Sequence, residues 1–470
     1  MAYKLKRKSI VIIGGGITGL TATYYLQEKV KEGQLPVDIQ LLEQSNRLGG
    51  KIQTHHQDGF IIERGPDSFL ARKEPAVRLA QSLGIENKLI RNQTGQAYIL
   101  AHNELHPMPQ GSFMGIPTEL KPFLNTTLLS AQGKARVGLD YILPPSREVG
   151  DQSLGHFFRR RFGDELVDNI IEPLLSGIYA GDMDEMSLLA TFPQFFDIEQ
   201  EHKSLIKGLQ KTRKKSPRQT GKNEGQFFSF KNGLTTLVKA LENKIDPAIV
   251  SLHTRVKEIK QLDDTYVIQC QSEETIKADA VIVTTPHHTL SEIFSSYDLF
   301  QPMKKMRSNS VANVALAYDV NDIKNELDGT GFVISRNSDY RITACTWTHK
   351  KWQGTAPKGK ALLRAYVGKP DDQAVVQLSD EEITNIALHD IERSMGIIAN
   401  PKFSIVTRWE EAMPQYDIGH KARTLRLKRD LTEQLPNIYV AGSSFDGVGI
   451  PDCIGQAEDI VEQLTALFKE

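Results

Sequence analysis

A glycine motif near the start of the chain constrains the fold more than any other sequence feature. Residues 14–19 read Gly-Gly-Gly-Ile-Thr-Gly and fit the pattern G-x-G-x-x-G. The apolar run 9–13 precedes the motif, and residues 20–31 follow it with apolar side chains at helical spacing. Glycines at such a strand-to-helix turn allow a tight bend, let backbone N–H groups approach a pyrophosphate and let the helix pack closely on the strand. The residues predicted to form this dinucleotide site are Gly14, Gly15, Gly16, Ile17, Thr18 and Gly19.

A second apolar run, residues 37–42, ends in Glu43 and Gln44. A carboxylate at the end of the second strand can accept hydrogen bonds from a ribose diol, which a merely structural glycine turn would not need. Crossovers between parallel strands are right-handed and pack their helix on the sheet, so this strand–helix–strand unit predicts a doubly wound, Rossmann-type domain.

The rest of the chain indicates an α/β protein, α+β overall, with more than one structural unit, because its 470 residues exceed what one hydrophobic core usually serves. The dinucleotide-binding domain is predicted to be discontinuous, in segments 1–95, 225–290 and 406–470. Residues 96–224 are predicted to form a helical insertion with a basic loop. Residues 291–405, rich in β-forming side chains, are predicted to form a mainly β substrate-binding domain.

Helical spacing of Leu166, Ile170 and Leu174 supports the predicted insertion. Residues 207–222 carry many Lys and Arg among Ser, Pro, Gly and Thr, and this composition predicts an exposed, flexible connector. A resumed buried strand is expected at residues 280–286, where an apolar run is stopped by proline.

Charge and composition exclude several classes of function. The chain has 57 basic and 58 acidic side chains, so its overall charge gives no attraction to nucleic acid. No later stretch reaches the roughly 18 to 20 uncharged apolar residues of a membrane-spanning helix. Three widely spaced cysteines fit neither a disulfide framework nor a paired zinc site, and they favour a reducing, cytoplasmic location. No metal site is predicted, because His287 and His288 lack ligands at a suitable spacing and are expected in a loop.

The stretch that follows Glu43 resembles the second fingerprint of the flavin amine oxidase superfamily, with Arg47, Gly49, Gly50 and Lys51 in the pattern E-x-x-x-R-x-G-G-K. The resemblance implies FAD as the cofactor. It also implies that Val256 pairs with the adenine and that a closing motif faces the flavin. The residues of that closing motif are Gly442, Val448, Gly449 and Ile450.

Three further stretches, residues 63–69, 172–181 and 447–452, resemble the protoporphyrinogen and coproporphyrinogen oxidase family, nearest to its Gram-positive bacterial type. The resemblance implies an oxygen-using oxidase of haem biosynthesis, which takes coproporphyrinogen III to coproporphyrin III, also accepts protoporphyrinogen IX and releases hydrogen peroxide. It implies non-covalent FAD and no catalytic side chain, because the flavin performs the chemistry. The turn that it sets near the flavin comprises Gly65, Pro66, Asp67 and Ser68.

The same resemblance suggests substrate contacts. Lys73 is expected to hold a propionate, although many relatives have arginine there and a lysine cannot form a bidentate fork. Gly177 and Ile178 are expected to clamp a pyrrole ring, and Trp409 to lie beside the isoalloxazine. Lys73 could equally be an ordinary surface lysine. Ile178 could equally be a residue that only packs in the core.

The residues leave alternatives open. Protoporphyrinogen IX could be the main substrate, or the chain could be an amine oxidase or carotenoid desaturase of the same superfamily. A non-catalytic porphyrin carrier that retains FAD is a third alternative. Peripheral contact with a membrane and transient contact with neighbouring haem-pathway enzymes also stay open.

Overall fold

A five-stranded parallel sheet forms the centre of the nucleotide-binding part. The computed structural model describes residues 7–93, 95–146, 150–215, 225–324 and 327–469. In this sheet, Lys8–Ile13 lies between Val37–Leu42 and Ala280–Val283, with Val250–Ser251 and Ile438–Val440 at the two edges. The strands come from the beginning, middle and end of the chain, which confirms the predicted doubly wound, discontinuous Rossmann-type fold.

Alternation along the first strand explains why both faces of this sheet are covered. Ile10 and Ile12 pack into one core cluster, whereas Val11 and Ile13 pack into another on the opposite face. The first face carries helices and the second carries an antiparallel meander with two further helices. The helices of the first face are Ile17–Lys31, Thr235–Lys244 and Ile450–Phe468. The elements of the second face are strands Val256–Leu262, Thr265–Cys270 and Thr275–Ala278 with helices His287–Ile293 and His420–Gln434.

A seven-stranded sheet forms the β-rich layer. Its order is Phe403–Pro414, Ser308–Asp319, Lys360–Val367, Ile342–Trp347, Gly331–Ile334, Ala97–Ala101 and Glu104–Pro107. Helix Asp380–Met395 covers this sheet and begins with a capping box between Ser379 and Glu382.

Two boundaries of the predicted domains differ from this arrangement. Ala97–Ala101 pairs in parallel with Gly331–Ile334, so the hairpin that it begins joins the β-rich sheet although the prediction gave it to the helical insertion. Strand Phe403–Pro414 runs across the boundary predicted at residue 406. In both places the strand partner is far away in sequence, and local patterns carry no information about it.

The helical insertion has its own aromatic core, which includes Phe157, Phe158 and Phe195. Its helical segments are Leu120–Asn125, Ala131–Gly138, Leu154–Phe162, Asp164–Leu166, Val167–Ile171, Glu172–Tyr179, Leu188–Thr191, Pro193–His202 and Leu205–Lys215. The last of these corrects the predicted loop at 207–222. Leu205, Ile206 and Leu209 are buried on one side of that helix, a pattern that its many lysines conceal, and residues 216–224 lie outside the described part.

Short elements connect these layers. The remaining strands are Thr54–Gln57, Phe60–Glu63, Phe69–Leu70, Leu89–Arg91, Ser112–Phe113, Ile116–Pro117 and Phe227–Phe230. The remaining helices and single turns are Glu74–Ser82, Glu86–Lys88, Leu139–Tyr141, Pro247–Ile249, Asp298–Phe300, Gln301–Lys304, Val320–Asp322, Thr348–Lys351 and Ala374–Gln377. Within the described residues, none of the helices has the length and apolar character needed to cross a bilayer.

Candidate functional site

One cavity of about 1180 Å³ joins the nucleotide-binding part to the β-rich sheet and the helical insertion. At one end it is lined by the turns that follow the parallel strands, and at the other by residues of the seven-stranded sheet and of helix Glu172–Tyr179. Ligands of doubly wound folds bind at the carboxyl ends of the strands, so this position is the expected one for a dinucleotide.

Three positions of the first turn favour glycine, each for a different structural reason. Gly14 has φ +106°, which favours glycine. A Cβ on Gly19 would lie 1.9 Å from the carbonyl oxygen of Gly14, so the helix could not pack so closely on the strand. A Cβ on Gly16 would meet no atom within 4 Å, because Gly16 faces the cavity.

The helix after this turn begins without a side-chain cap. Gly16 is its N-cap, and the described structure shows no side-chain hydrogen bond there. The first N–H groups of a helix lack partners within the helix and carry partial positive charge, so they favour an anion. The open space at Gly16 and these N–H groups together fit a pyrophosphate.

Glu43 lies at the cavity wall and is held by backbone groups. Its Oε2 accepts a hydrogen bond from the Gly15 N–H at 2.6 Å, and its Oε1 accepts one from the Ser45 N–H at 2.8 Å. The carboxylate is thereby fixed at the end of the second strand, where a ribose would lie. Val256 and its neighbours Thr254 and Arg255 line the same end of the cavity.

The second fingerprint forms a turn whose backbone contacts the backbone of the first glycine turn. The Gly49 N–H donates to the Gly15 carbonyl at 2.8 Å, and a Cβ on Gly50 would lie 3.1 Å from the Cα of Gly16. Arg47 is not part of the cavity lining. Its guanidinium donates to the Gly50 carbonyl at 2.7 Å and so supports the turn.

A buried cluster of charges holds the turn at residues 65–68. Asp67 lines the cavity, and its carboxylate accepts hydrogen bonds from Lys351 Nζ at 2.9 Å and from Ser68 Oγ at 2.6 Å. Burial alone would raise the pKa of Asp67, but the charges of Lys351 and Arg364 outweigh it and hold the pKa well below its usual range. Arg364 also donates to the Gly65 carbonyl at 2.7 Å.

Two further side chains lie next to this turn, and one of them, Glu63, is buried. Glu63 accepts hydrogen bonds from the Leu234 N–H and from Thr54 Oγ1, and burial raises its pKa to about 7. Trp409 lines the cavity and donates from Nε1 to the Arg64 carbonyl at 2.8 Å.

The closing motif brings a second helix N-terminus to the cavity. Helix Ile450–Phe468 begins after Gly449, and no side-chain cap is described there. The Gly442 N–H donates to Gln456 Oε1 at 3.0 Å, which ties the end of the last strand to that helix. Lys51 also lines this region, donates to the Ala412 carbonyl, and has its pKa lowered by burial.

Most of the predicted cofactor residues line this one cavity. They are Gly14, Gly16, Ile17, Thr18, Glu43, Gln44, Gly49, Gly50, Lys51, Gly65, Pro66, Asp67, Ser68, Val256, Trp409, Gly442, Val448, Gly449 and Ile450. Gly15, Gly19 and Arg47 are absent from the lining.

Of the three residues predicted to bind substrate, two line the cavity and one does not. Gly177 and Ile178 line the far end of the cavity, and Ile178 is 42% exposed although it is apolar. Lys73 does not line the cavity. Its Nζ donates to both carboxylate oxygens of Asp452 at 2.6 Å, so the structure pairs it with an acidic residue of the last helix.

Sequence reasoning missed several residues at the far end, notably Asn313, Arg336 and Lys369. Arg336 and Lys369 each stand two residues beyond the end of a strand, and that position is the only signal they carry. The expectation that His287 and His288 lie in a loop is wrong. His287 begins a helix, and its imidazole contacts Ser444 Oγ and the Met306 carbonyl. No group of three or more possible metal ligands is found among the described residues.

The fold and this cavity define a dinucleotide-binding flavoprotein, and comparison with known proteins agrees. Residues 17–465 match the family model of the flavin containing amine oxidoreductases. A coproporphyrinogen III oxidase of Bacillus subtilis is 52% identical over 98% of this chain and 99% of its own length. One of Staphylococcus aureus is 43% identical over 98% of this chain and 99% of its own. The chain belongs to the flavin containing amine oxidoreductases and, within them, to the family of these two enzymes.

A solved structure agrees with the placement. The crystal structure of an Exiguobacterium protein described as a protoporphyrinogen oxidase superposes with a TM-score of 0.87 at 39% identity, covering 98% of this chain and 99% of the other. The predicted family, the flavin-dependent class and FAD as the cofactor are thereby confirmed.

Proposed function

We propose that this chain is an FAD-dependent oxidase that converts coproporphyrinogen III to coproporphyrin III, with molecular oxygen as electron acceptor and hydrogen peroxide as product. The observation that carries the proposal is the 52% identity to a coproporphyrinogen III oxidase over 98% of the chain. The large cavity supports it, because a dinucleotide site and a partly apolar chamber are continuous there. We further propose a cytoplasmic reaction, which the three buried, unpaired cysteines support.

The overall reaction balances as three equal oxidations. Over the three steps the substrate loses three hydrides from bridging carbons and three protons, two of them from nitrogens and one from the remaining bridging carbon. In each step one oxygen molecule takes up two electrons and two protons to give hydrogen peroxide. The hydride acceptor and the route of the electrons to oxygen would be supplied by FAD when it is bound.

The protein contributes binding, orientation and exclusion of water. We assign the pyrophosphate to the N-terminus of helix Ile17–Lys31 at Gly16, and the adenosine ribose to Glu43. Asn313 donates from Nδ2 to the Glu63 carbonyl at 3.2 Å and so helps to fix the turn that begins at Arg64. Around the substrate, Val333 and Ile178 supply apolar surface that displaces water.

A second candidate is the same reaction with protoporphyrinogen IX as the main substrate. The name of the Exiguobacterium relative favours it, and the two porphyrinogens differ only in two side chains, which are propionates in one and vinyls in the other. Both candidates use the same cofactor site.

Rapid anaerobic mixing with each reduced substrate tests the proposal. Coproporphyrinogen III should bleach the flavin, and admission of oxygen should restore its colour with release of peroxide and of fluorescent coproporphyrin. Bleaching by an amine but by neither porphyrinogen would contradict the proposed function. A larger kcat/KM for protoporphyrinogen IX would favour the second candidate.

A further inference from the structure

The far end of the cavity is bounded by residues that follow the carboxyl ends of two strands of the seven-stranded sheet. Strand Ile342–Trp347 lies between Gly331–Ile334 and Lys360–Val367 and is antiparallel to both. The two strands that flank it therefore run in the same direction, and their carboxyl ends lie on the same side of the sheet. Arg336 and Lys369 stand two residues beyond those ends, and both line the cavity. Neighbouring strands lie about 4.8 Å apart, so two strand spacings separate the backbone ends of the two flanking strands by roughly 10 Å.

The backbone at Lys369 is held firmly. The Asp372 N–H and Gln373 Nε2 both donate to the Lys369 carbonyl, at 3.1 and 2.6 Å. The preceding Gly368 lies against the neighbouring strand, where a Cβ would come within 2.7 Å of the Ser310 carbonyl oxygen. These contacts fix the point from which the Lys369 side chain leaves the sheet.

The two cations differ in their partners. Arg336 donates to both carboxylate oxygens of Asp182 at 3.2 Å and to Asp184 at 3.1 Å, so two carboxylates already compensate its charge. Lys369 is half-buried and, within the described part of the chain, has no ion-pair partner. Asp339, whose pKa is lowered first by Arg393 and also by Lys369, is already bound by Arg393 at 2.8 Å.

We infer that Lys369 binds a propionate of the substrate and selects coproporphyrinogen III over protoporphyrinogen IX. The inference rests on the proposed function. It assigns to Lys369 a propionate on the half of the macrocycle where protoporphyrinogen carries vinyl groups. Most of the hydrogen-bond donors of Arg336 are already used by carboxylates when a substrate carboxylate enters this end. Among the described residues, none accepts a hydrogen bond from the Lys369 ammonium group, so its three donors can bind the substrate. A vinyl group at the same place offers no acceptor and gains nothing from the charge.

Substrate specificity of the Lys369→Gln variant tests the inference. A charge-assisted hydrogen bond at a partly exposed site contributes enough that its loss should lower kcat/KM for coproporphyrinogen III about tenfold, mainly through KM. The value for protoporphyrinogen IX should change by less than about twofold. Lys369→Arg should restore most of the activity, because the charge is kept.

A matched control and a second measurement make the outcome decisive. Lys358→Gln removes an exposed lysine outside the cavity lining and should leave both kcat/KM values unchanged. Coproporphyrin III, the product, should bind Lys369→Gln more weakly than wild type, with less dependence on salt. Equal losses for both substrates, or no loss for either, would overturn the inference. Wild-type protein that oxidises neither porphyrinogen would overturn the proposed function instead.

Discussion

Lys73 Nζ lies 2.6 Å from both carboxylate oxygens of Asp452, and this pair links the loop before helix Glu74–Ser82 to the first turn of the last helix. The ammonium group is therefore already engaged, at a position outside the cavity lining. This arrangement favours a structural function for a residue that the sequence assigns to a propionate.

The two partners of that pair should respond alike to substitution. Lys73→Gln and Asp452→Asn should each lower the free energy of unfolding by about 1 kcal/mol, because the pair is partly exposed. Both should change KM by less than about twofold, since neither removes a group that binds substrate. Thermal unfolding and steady-state kinetics on both variants provide the measurement. A large rise in KM for Lys73→Gln alone would show that the propionate assignment is correct after all.

A side chain at Gly16 should prevent cofactor loading without unfolding the protein. Its Cβ would project into open cavity without meeting a protein atom, so Gly16→Leu extends into the space assigned to the pyrophosphate. We expect folded, colourless protein, measured by the ratio of flavin to protein absorbance. Gly138→Leu is the control, because a Cβ there also meets no atom within 4 Å and Gly138 does not line the cavity. A yellow, fully loaded Gly16→Leu protein would contradict the assignment.

Substitution of Gly19, unlike that of Gly16, should lower the stability of the fold. A Cβ there would lie 1.9 Å from a backbone oxygen that cannot move independently, so Gly19→Ala must push the helix off the strand. We expect a loss of about 1–3 kcal/mol in the free energy of unfolding, as for other overpacked sites. Gly138→Ala, in open space, should lose no stability. Chemical denaturation compares the two, and equal stabilities would count against the close packing described here.

The buried carboxyl of Glu63 predicts an unusual dependence on pH. Its pKa rises from 4.5 to about 7 in the folded protein because of burial, so between these values the folded state binds more protons than the unfolded state. The contribution of Glu63 to stability is therefore greatest below pH 4.5 and falls as the pH rises through about 7. Glu63→Gln stays neutral and keeps one acceptor for the Leu234 N–H. The difference in unfolding free energy between variant and wild type should move in favour of the variant from pH 5 to pH 8, by roughly 2–3 kcal/mol. A difference that is constant over this range would show that Glu63 is ionised throughout.

The nucleotide site could be predicted because its determinants are local. Gly14, Gly16 and Gly19 act within one strand-to-helix turn, and Glu43 follows the next strand directly, so spacing alone predicts their relation. The parallel sheet follows from the same unit. These features need no knowledge of the rest of the chain.

The features that sequence reasoning missed depend on distant partners. Lys73 meets a carboxylate 379 residues later, and Ala97–Ala101 pairs with a strand more than two hundred residues away. Arg336 and Lys369 belong to no motif, and only the antiparallel register of three strands brings them to one edge. The helix at Leu205–Lys215 was missed for another reason, because the many lysines in its sequence hid three buried apolar residues.

The two helix N-termini that meet at the cavity come from opposite ends of the chain, at Gly16 and Gly449. A ribosome produces the first of them long before the second. A growing chain therefore cannot complete the cofactor site until Gly449 has been made, and FAD can be retained only after that point of synthesis. Chains that terminate prematurely before Gly449 should accumulate without flavin and be recognised by their lack of it.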